Sequence, residues 1–229
     1  MDAIIMCAGL GTRLRPITET IPKPLVPIAG RSSLERTLDM LPDEVDRIIL
    51  VVGYLADQIK ARIGSSYNGR PVEYVHQDTL NGTGGALRCA ESMIRSDRFL
   101  VLMGDDLYAA SDLTDLARHD KAILCYRAPA SGSIDGIELD AQKRVCGFYR
   151  PEAGAEAVLN TGAYALDRHW FATDPVLVPG KMNEWSLPHA IPQLIAMGHP
   201  VHAIEATFWL PVGTHEQLAI AEDLLKPKA

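Results

Sequence analysis

An apolar run, Ala3 to Cys7, gives way at once to Ala8-Gly9-Leu10-Gly11-Thr12-Arg13-Leu14-Arg15-Pro16, and this junction constrains the fold of the whole chain. A short, continuously apolar run reads as a strand covered on both faces, as in a parallel sheet. Gly9 and Gly11 let the backbone turn tightly and approach a ligand where a Cβ would collide. The N–H groups of such a turn form a nest for anionic oxygens, and Arg13 and Arg15 add positive charge beside it. Lys23 follows, held between Pro22 and Pro24, which fix its backbone. A phosphate cradle followed by a rigidly presented lysine points to chemistry on the phosphate chain of a nucleotide. Two familiar phosphate loops fail on residues. A dinucleotide fingerprint needs a third glycine where Leu14 stands, and a Walker loop needs a Gly-Lys-Ser/Thr string that this stretch lacks.

The first half continues the alternation of a parallel α/β fold. The pattern predicts strands at residues 3–7, 47–52, 72–76 and 99–103, and helices at 33–41, 56–63 and 84–93, the first capped by Ser32 or Ser33. Such a doubly wound sheet binds ligands beyond the carboxyl ends of its strands. The Gly9 loop, residues 77–86 and residues 104–106 each directly follow a strand, so three motif loops converge on one edge. The second half is less regular, with short strands at 122–126, 136–139, 145–149 and 161–166. A helix at 188–197, a strand at 201–205 and a helix at 215–225 capped by Thr214 complete it. This predicts a mixed sheet with a smaller substrate lobe. No Pro/Ser/Gly-rich spacer divides the chain, so residues 1–229 read as one domain.

At 229 residues and 47% hydrophobic, the chain can bury a full core. Its net charge of −7 argues against a nucleic-acid-binding surface. No apolar stretch is long enough to span a bilayer, and no basic region precedes an apolar one at the N-terminus. Cys7, Cys89, Cys125 and Cys146 show neither Cys-x-x-Cys pairing nor metal-ligand spacing, so they read as reduced thiols in or near the core. A cytoplasmic protein is expected. The seven histidines make no triad with a nucleophile, and nothing indicates covalent catalysis.

Two further segments carry chemistry. In Gly104-Asp105-Asp106 an aspartate at a strand end faces the phosphate loop, a good place to hold Mg²⁺ against phosphate oxygens, although Gly-Asp is also ordinary turn chemistry. In the stretch from Gln77 to Ala86 the Gln amide can donate and accept at once, matching an edge of uracil or thymine. Gly84 and Gly85 let a helix begin close to a ligand, or serve packing alone.

The joint pattern Gly-x-Gly-Thr-Arg-Leu-x-Pro…Pro-Lys-Pro-Leu-x-Pro resembles the signature of the sugar-1-phosphate nucleotidylyltransferases, or NDP-sugar pyrophosphorylases. The resemblance runs from Met1 to about Leu225 and is strongest up to Asp106. It implies a Rossmann-like α/β fold with a small sugar-binding lobe, residues 1–110 forming the nucleotide-binding half and 111–229 the sugar-binding half. It also implies a reaction in which an NTP and a sugar 1-phosphate give an NDP-sugar and pyrophosphate, with Mg²⁺ as cofactor. On that resemblance Ala8, Gly9, Gly11, Thr12, Arg13 and Lys23 hold the NTP phosphates, with Arg13, Lys23 and Asp105 catalytic and Asp105 the metal ligand. Gln77, Gly82 and Thr83 read the base. The Gln-to-Gly spacing resembles uridylyl- and thymidylyl-transferring members, while Gly-Thr-Gly-Gly-Ala also resembles guanylyl-transferring ones.

The sugar side matches less closely. The resemblance assigns Asp106, Gly136, Arg150, Asn160 and Glu184 to the sugar, Arg150 as the cation for its phosphate, but Tyr149-Arg150-Pro151 stands where relatives carry Glu-Lys-Pro. For Tyr149, Arg150 and Glu184 a solvated surface role fits as well. In Trp209-Leu210-Pro211-Val212-Gly213-Thr214, Pro211 replaces an aspartate that usually completes the metal site, leaving Asp105 with phosphates and water, or Asp106 or Glu184 as substitutes. Rival readings are a guanylyltransferase acting on mannose or heptose 1-phosphate, a cytidylyltransferase acting on a small phosphorylated alcohol, and a weakly active nucleotide-sugar sensor. The chain stops just after its last predicted helix, which is the expectation for a stand-alone transferase. A homo-oligomer is compatible with the sequence, which says nothing for or against one.

Overall fold

The computed structural model describes residues 1–226. The chain opens with β1 (Asp2–Cys7), and a short antiparallel pair, β2 (Pro27–Ile28) and β3 (Arg31–Ser32), leads into α1 (Ser33–Asp39). Then come β4 (Arg47–Val52), α2 (Ala56–Ile63), β5 (Ser66–Tyr67), β6 (Arg70–His76) and α3 (Gly82–Ala90). Next are β7 (Arg98–Met103), β8 (Asp106–Tyr108), α4 (Ala110–Ala117), β9 (Ala122–Pro129), β10 (Gly136–Leu139), β11 (Val145–Tyr149) and β12 (Glu156–Asp167). The last elements are α5 (Leu187–Ala196), β13 (His202–Glu205), β14 (Trp209–Pro211) and α6 (His215–Leu225).

β1 lies between β4 and β7, parallel to both, and β6 extends the parallel run beyond β4. On the other side β12 pairs antiparallel with β7, and β9 antiparallel with β12. The fold is therefore a mixed α/β architecture around a ten-stranded, centrally parallel sheet. Every residue of β1 and β4 is buried, as continuous apolar runs covered on both faces require. Alternate residues face opposite sides. Ala3, Ile5 and Cys7 pack with Leu34 and Leu38 of α1, Ile59 of α2 and Leu113 of α4. Ile4 and Met6 pack with Leu87 of α3 and with Leu187, Ile191 and Leu194 of α5. The sheet is thus wound on both faces, with helices assigned to each face by the period of two.

Local chemistry sets the helix starts. Ser32 and Glu35 form a reciprocal capping box, the Glu35 N–H donating to Ser32 Oγ at 3.2 Å and the Ser32 N–H to Glu35 Oε2 at 3.1 Å. Thr214 caps α6 by accepting from the Gln217 N–H. Both caps are legible as residues in the sequence.

Several features depart from the sequence expectation. The helix expected at 84–93 starts at Gly82 and tightens to a 3₁₀ turn over Glu91–Met93. The strand expected at 161–166 runs over Glu156–Asp167, because it pairs with β9 and β10 before it reaches β7. α4 and the two-stranded pair β8–β14 are additions. The cysteine expectation is also corrected in part: all four thiols are free, but Cys146 is exposed and Cys89 half-buried. No helix among the described residues is long and apolar enough to cross a membrane.

At the amino ends of the parallel strands the sheet is closed by a buried ion pair. Arg47 on β4 donates to Asp2 on β1 through Nε at 2.9 Å, to Glu73 on β6 at 3.1 Å and to the Met93 carbonyl at 2.7 Å. Asp2 also accepts from the Arg95 and Ser96 N–H groups. Burial alone would raise the Asp2 carboxyl, but these bonds outweigh it and hold it below the usual carboxylate range. A depressed value means the stabilisation is complete above about pH 4 and lost as pH falls through the folded-state value. Arg47→Met, which orphans a buried carboxylate, is expected to cost about 3 kcal/mol in urea unfolding at neutral pH. A loss below about 1 kcal/mol would show that the pair does not hold the sheet edge.

Candidate active site

The phosphate loop leaves β1 at Ala8 and enters a 3₁₀ turn, Thr12–Leu14, with Leu14 fully buried beneath it. Leu14, at the position a dinucleotide loop would give to glycine, anchors the turn in the core instead. A side chain at Gly9 would meet nothing within 4 Å, so that edge of the loop faces open space. Gly11 is different. It sits at φ +65°, and a Cβ there would come within 2.9 Å of Lys23 Cβ and of Thr18 Cγ2. Thr18 Oγ1 also donates to the Gly11 carbonyl at 2.8 Å. A glycine at 11 is therefore what lets the Lys23 segment pack against the loop.

Lys23 begins a 3₁₀ turn between its two prolines, and its ammonium is ion-paired with the Asp105 carboxylate, 82 residues away in sequence. α1 brings the two segments together. Ser33 Oγ lies 3.2 Å from the Pro24 carbonyl and 3.1 Å from the Gly104 carbonyl, and Thr37 Oγ1 donates to the Asp106 carbonyl at 3.0 Å. Both hydroxyls are buried, where an unpaired polar group would be costly, so they fix the backbone on either side of Asp105. In the sequence Ser33 reads only as a candidate helix cap, and Thr37, inside α1, gives no signal.

The resulting cleft has a volume of about 490 Å³, within the usual range for small-ligand sites. Its wall includes Ala8, Gly9, Gly11, Thr12, Arg13 and Lys23 from the first loop, Gln77, Gly82 and Thr83 from the second, and Asp105 from the third. The three loops expected to converge do so. Arg13 lays its guanidinium against Gly213, where a Cβ would sit 3.1 Å from Nη2. Arg15 is outside the wall; its carbonyl is bonded by His215 Nε2 at 2.8 Å, tying α6 to the loop. Cys7 lines the cleft, but burial, with the Asp105 charge second, pushes its thiol far up, so it stays neutral and is no nucleophile. Leu10 and Leu80, 41% and 40% exposed, form apolar lips that sequence reasoning overlooked.

In the second loop Gln77 is buried and its Nε2 donates to Asn81 Oδ1 at 2.9 Å and to the Gly82 carbonyl at 3.1 Å. A carbonyl can only accept, so the Gly82 bond fixes which end of the amide is nitrogen. Both amide protons are thus spent inside the loop, and Gln77 offers a ligand its carbonyl oxygen alone, not the donor-and-acceptor pair expected from sequence. The glycines likewise serve a neighbour. A Cβ at Gly82 or Gly84 would press on the backbone of Trp185, which donates from its N–H to the Asn81 carbonyl at 2.6 Å and accepts at its carbonyl from the Gly84 N–H at 2.8 Å. Residues 176–186 are folded back on themselves, with a bridge from Leu177 to Trp185 and the Val178 N–H donating to the Glu184 carbonyl at 2.7 Å. That strap carries Glu184 into the cleft wall.

Asp106, Gly136, Arg150 and Asn160 do not line this cleft. The Asp106 carboxyl is buried and accepts from Trp209 Nε1 at 3.0 Å; burial first, and then the Asp105 charge, raise it. Its strand partner across β8–β14 is Pro211. Gly136 is buried under the Tyr149 ring, which occupies the space a Cβ would need. Arg150 pairs with Asp135 at 2.9 Å. Asn160 donates to the Tyr164 hydroxyl at 2.8 Å and accepts from the Gly162 N–H at 3.0 Å. Through Gly162, which leaves room for Met103 Cγ, that turn supports the cleft floor, since Met103 lines it.

Among the described residues no group of three or more His, Cys, Asp or Glu could hold a metal ion unaided. Asp105 therefore fits an ion that takes most of its ligands from substrate phosphates and water, as Mg²⁺ does with one or two carboxylates.

Residues 2–226 match the family model described as nucleotidyl transferase. The chain is 35% identical over 218 residues to the bifunctional protein GlmU of Methanococcus maripaludis, covering 93% of this chain and 51% of the relative. It thus spans about half the length of that protein. To the UTP–glucose-1-phosphate uridylyltransferase AglF of Haloferax volcanii it is 30% identical, covering 99% of this chain and 97% of the relative. A crystal structure of a putative glucose-1-phosphate thymidylyltransferase from Bacillus anthracis superposes with a TM-score of 0.85 at 22% identity, over 100% of this chain and 96% of that one. On these matches and on the convergent cleft, the chain belongs to the sugar-1-phosphate nucleotidylyltransferase family of nucleotidyl transferases.

Proposed function

We propose that this protein transfers a nucleotidyl group from an NTP to a sugar 1-phosphate, forming an NDP-sugar and releasing pyrophosphate. The observation that carries this reading is the meeting of Lys23 and Asp105 beside the phosphate loop, a cation and an anion poised where a metal-bound triphosphate would separate them.

The reaction is an in-line attack by the sugar phosphate oxygen on the α-phosphorus. The attacking group is already anionic, so the protein supplies position and charge neutralisation, not a general base. Backbone N–H groups at Gly9, Gly11 and Thr12 hold the β- and γ-phosphates, and Arg13 neutralises the departing pyrophosphate. Lys23 takes the α-phosphate and the charge that builds there. A divalent cation held at Asp105 would offset phosphate charge and align the oxygens of the triphosphate. Glu184, carried on the strap, faces the sugar ring, whose hydroxyls can donate to its carboxylate.

For the base, the lone Gln77 acceptor calls for an N–H donor, which uracil and thymine present at ring N3 and guanine at ring N1. Cytosine and adenine present a bare ring nitrogen there and could donate only from the exocyclic amino group beside it. UTP or dTTP is the first reading. A guanylyl donor is the second, because the same Gln77 geometry serves guanine.

Lys23→Ala and Arg13→Ala are each expected to lower turnover at least tenfold, measured as pyrophosphate release, with an unchanged melting temperature. Near-normal turnover in either variant removes the role given to that residue. In a thermal-shift comparison with Mg²⁺, UTP or dTTP at about 100 times its Kd should add about 2.7 kcal/mol of apparent stability, and CTP and ATP clearly less. A larger shift with GTP would overturn the pyrimidine assignment. Asn81→Ala frees one Gln77 proton and should raise KM for the preferred NTP about tenfold with kcat little changed. An unchanged KM would show that Gln77 does not read the base.

A further inference from the structure

A second cavity opens at the sheet edge opposite the cleft. β12 runs antiparallel to β7, and β9 and β13 run antiparallel to β12, so β9 and β13 begin where β12 ends, far from the phosphate loop. There Arg118, His119, Asp120, Lys121, His199 and His202 line a cavity of about 410 Å³. His169, just beyond β12, stacks on His199 with ring centroids 4.0 Å apart, and His119 and His202 lie 6.4 Å apart. Four of the seven histidines, from segments distant in sequence, gather at this edge.

The charges are arranged unequally. Two carboxylates beside the cavity already have cations: Asp120 pairs with Arg98 at 3.2 Å, and Asp167 with Lys121 at 2.5 Å and with His169 Nδ1 at 3.0 Å. The turn over residues 140–144, which bridges to His202 through its backbone, is closed on itself by Arg144 and Asp140 at 2.7 Å. By contrast the side chains of Arg118, His119, His199 and His202 make no hydrogen bond or ion pair among the described residues. The surplus is cationic, on a protein whose net charge is −7. A transition-metal site is not what these imidazoles form, since no group of three or more ligating side chains among the described residues has the geometry for one. What remains is a set of N–H donors and one unpaired guanidinium around a hollow of small-molecule size.

We propose that this edge is a binding site for a small, multiply charged oxyanion of the phosphate class, held by the Arg118 guanidinium and the imidazole N–H groups of His119, His199 and His202. The site is separate from the cleft and independent of the transfer reaction.

The test is histidine ring C–H NMR on the full chain, titrated separately with inorganic pyrophosphate and with glycerol 3-phosphate at about pH 6. Saturable shifts of the His119, His199 and His202 signals are expected. Pyrophosphate alone would identify a free inorganic ligand, and glycerol 3-phosphate as well would extend the class to phosphate monoesters. Arg118→Gln should weaken binding about tenfold and leave nucleotidyl transfer unchanged. The proposal fails if neither anion moves these signals at pH 6, if only His189 and His215 respond, or if Arg118→Gln binds like the wild type.

Discussion

The parallel pairing of β1 with both β4 and β7 is the constraint from which the site follows. Parallel strands present their carboxyl ends to the same edge, so the segments after Cys7, Val52 and Met103 have no choice but to meet there. The pairing is maintained by burial on both faces, and the Asp2–Arg47 pair closes its opposite end. A charged pair drawn from residues 82 apart costs little extra order, because the sheet has already ordered the strands that lead to it.

On that edge, small adjustments place the charged groups. The Lys23–Asp105 pair is largely shielded, with side chains 15% and 22% exposed, so the cost of desolvating both charges offsets much of their attraction. Its significance is positional. Each group neutralises the other, so neither charge is left uncompensated in the cleft. Buried hydroxyls at Ser33 and Thr37 and the missing side chain at Gly11 supply the alignment.

What was legible in the sequence were features set by neighbours along the chain. The apolar run of β1, the helix Ala56–Ile63, the Ser32 box and the Thr214 cap all announce themselves within a few residues. So did the residues of the phosphate loop. What stayed hidden depends on partners far away in sequence. β8 and β14 are three residues each and exist only as a pair, so neither carries a period to detect. Asp106 reads like Asp105 in sequence, yet the β8–β14 pairing turns its carboxyl toward Trp209. Gly136, Gly82 and Gly84 read as places where a ligand comes close, whereas their nearest neighbours are Tyr149 and the Trp185 backbone. A glycine reports that something approaches, not what it is.

The seat of Trp185 on Gly82 and Gly84 has a mechanical consequence. The Gln77 loop and the strap that carries Glu184 share backbone hydrogen bonds, so they cannot shift independently. A displacement of one side of the cleft is thereby transmitted to the other. The two sides behave as one adjustable jaw, hinged on two missing side chains.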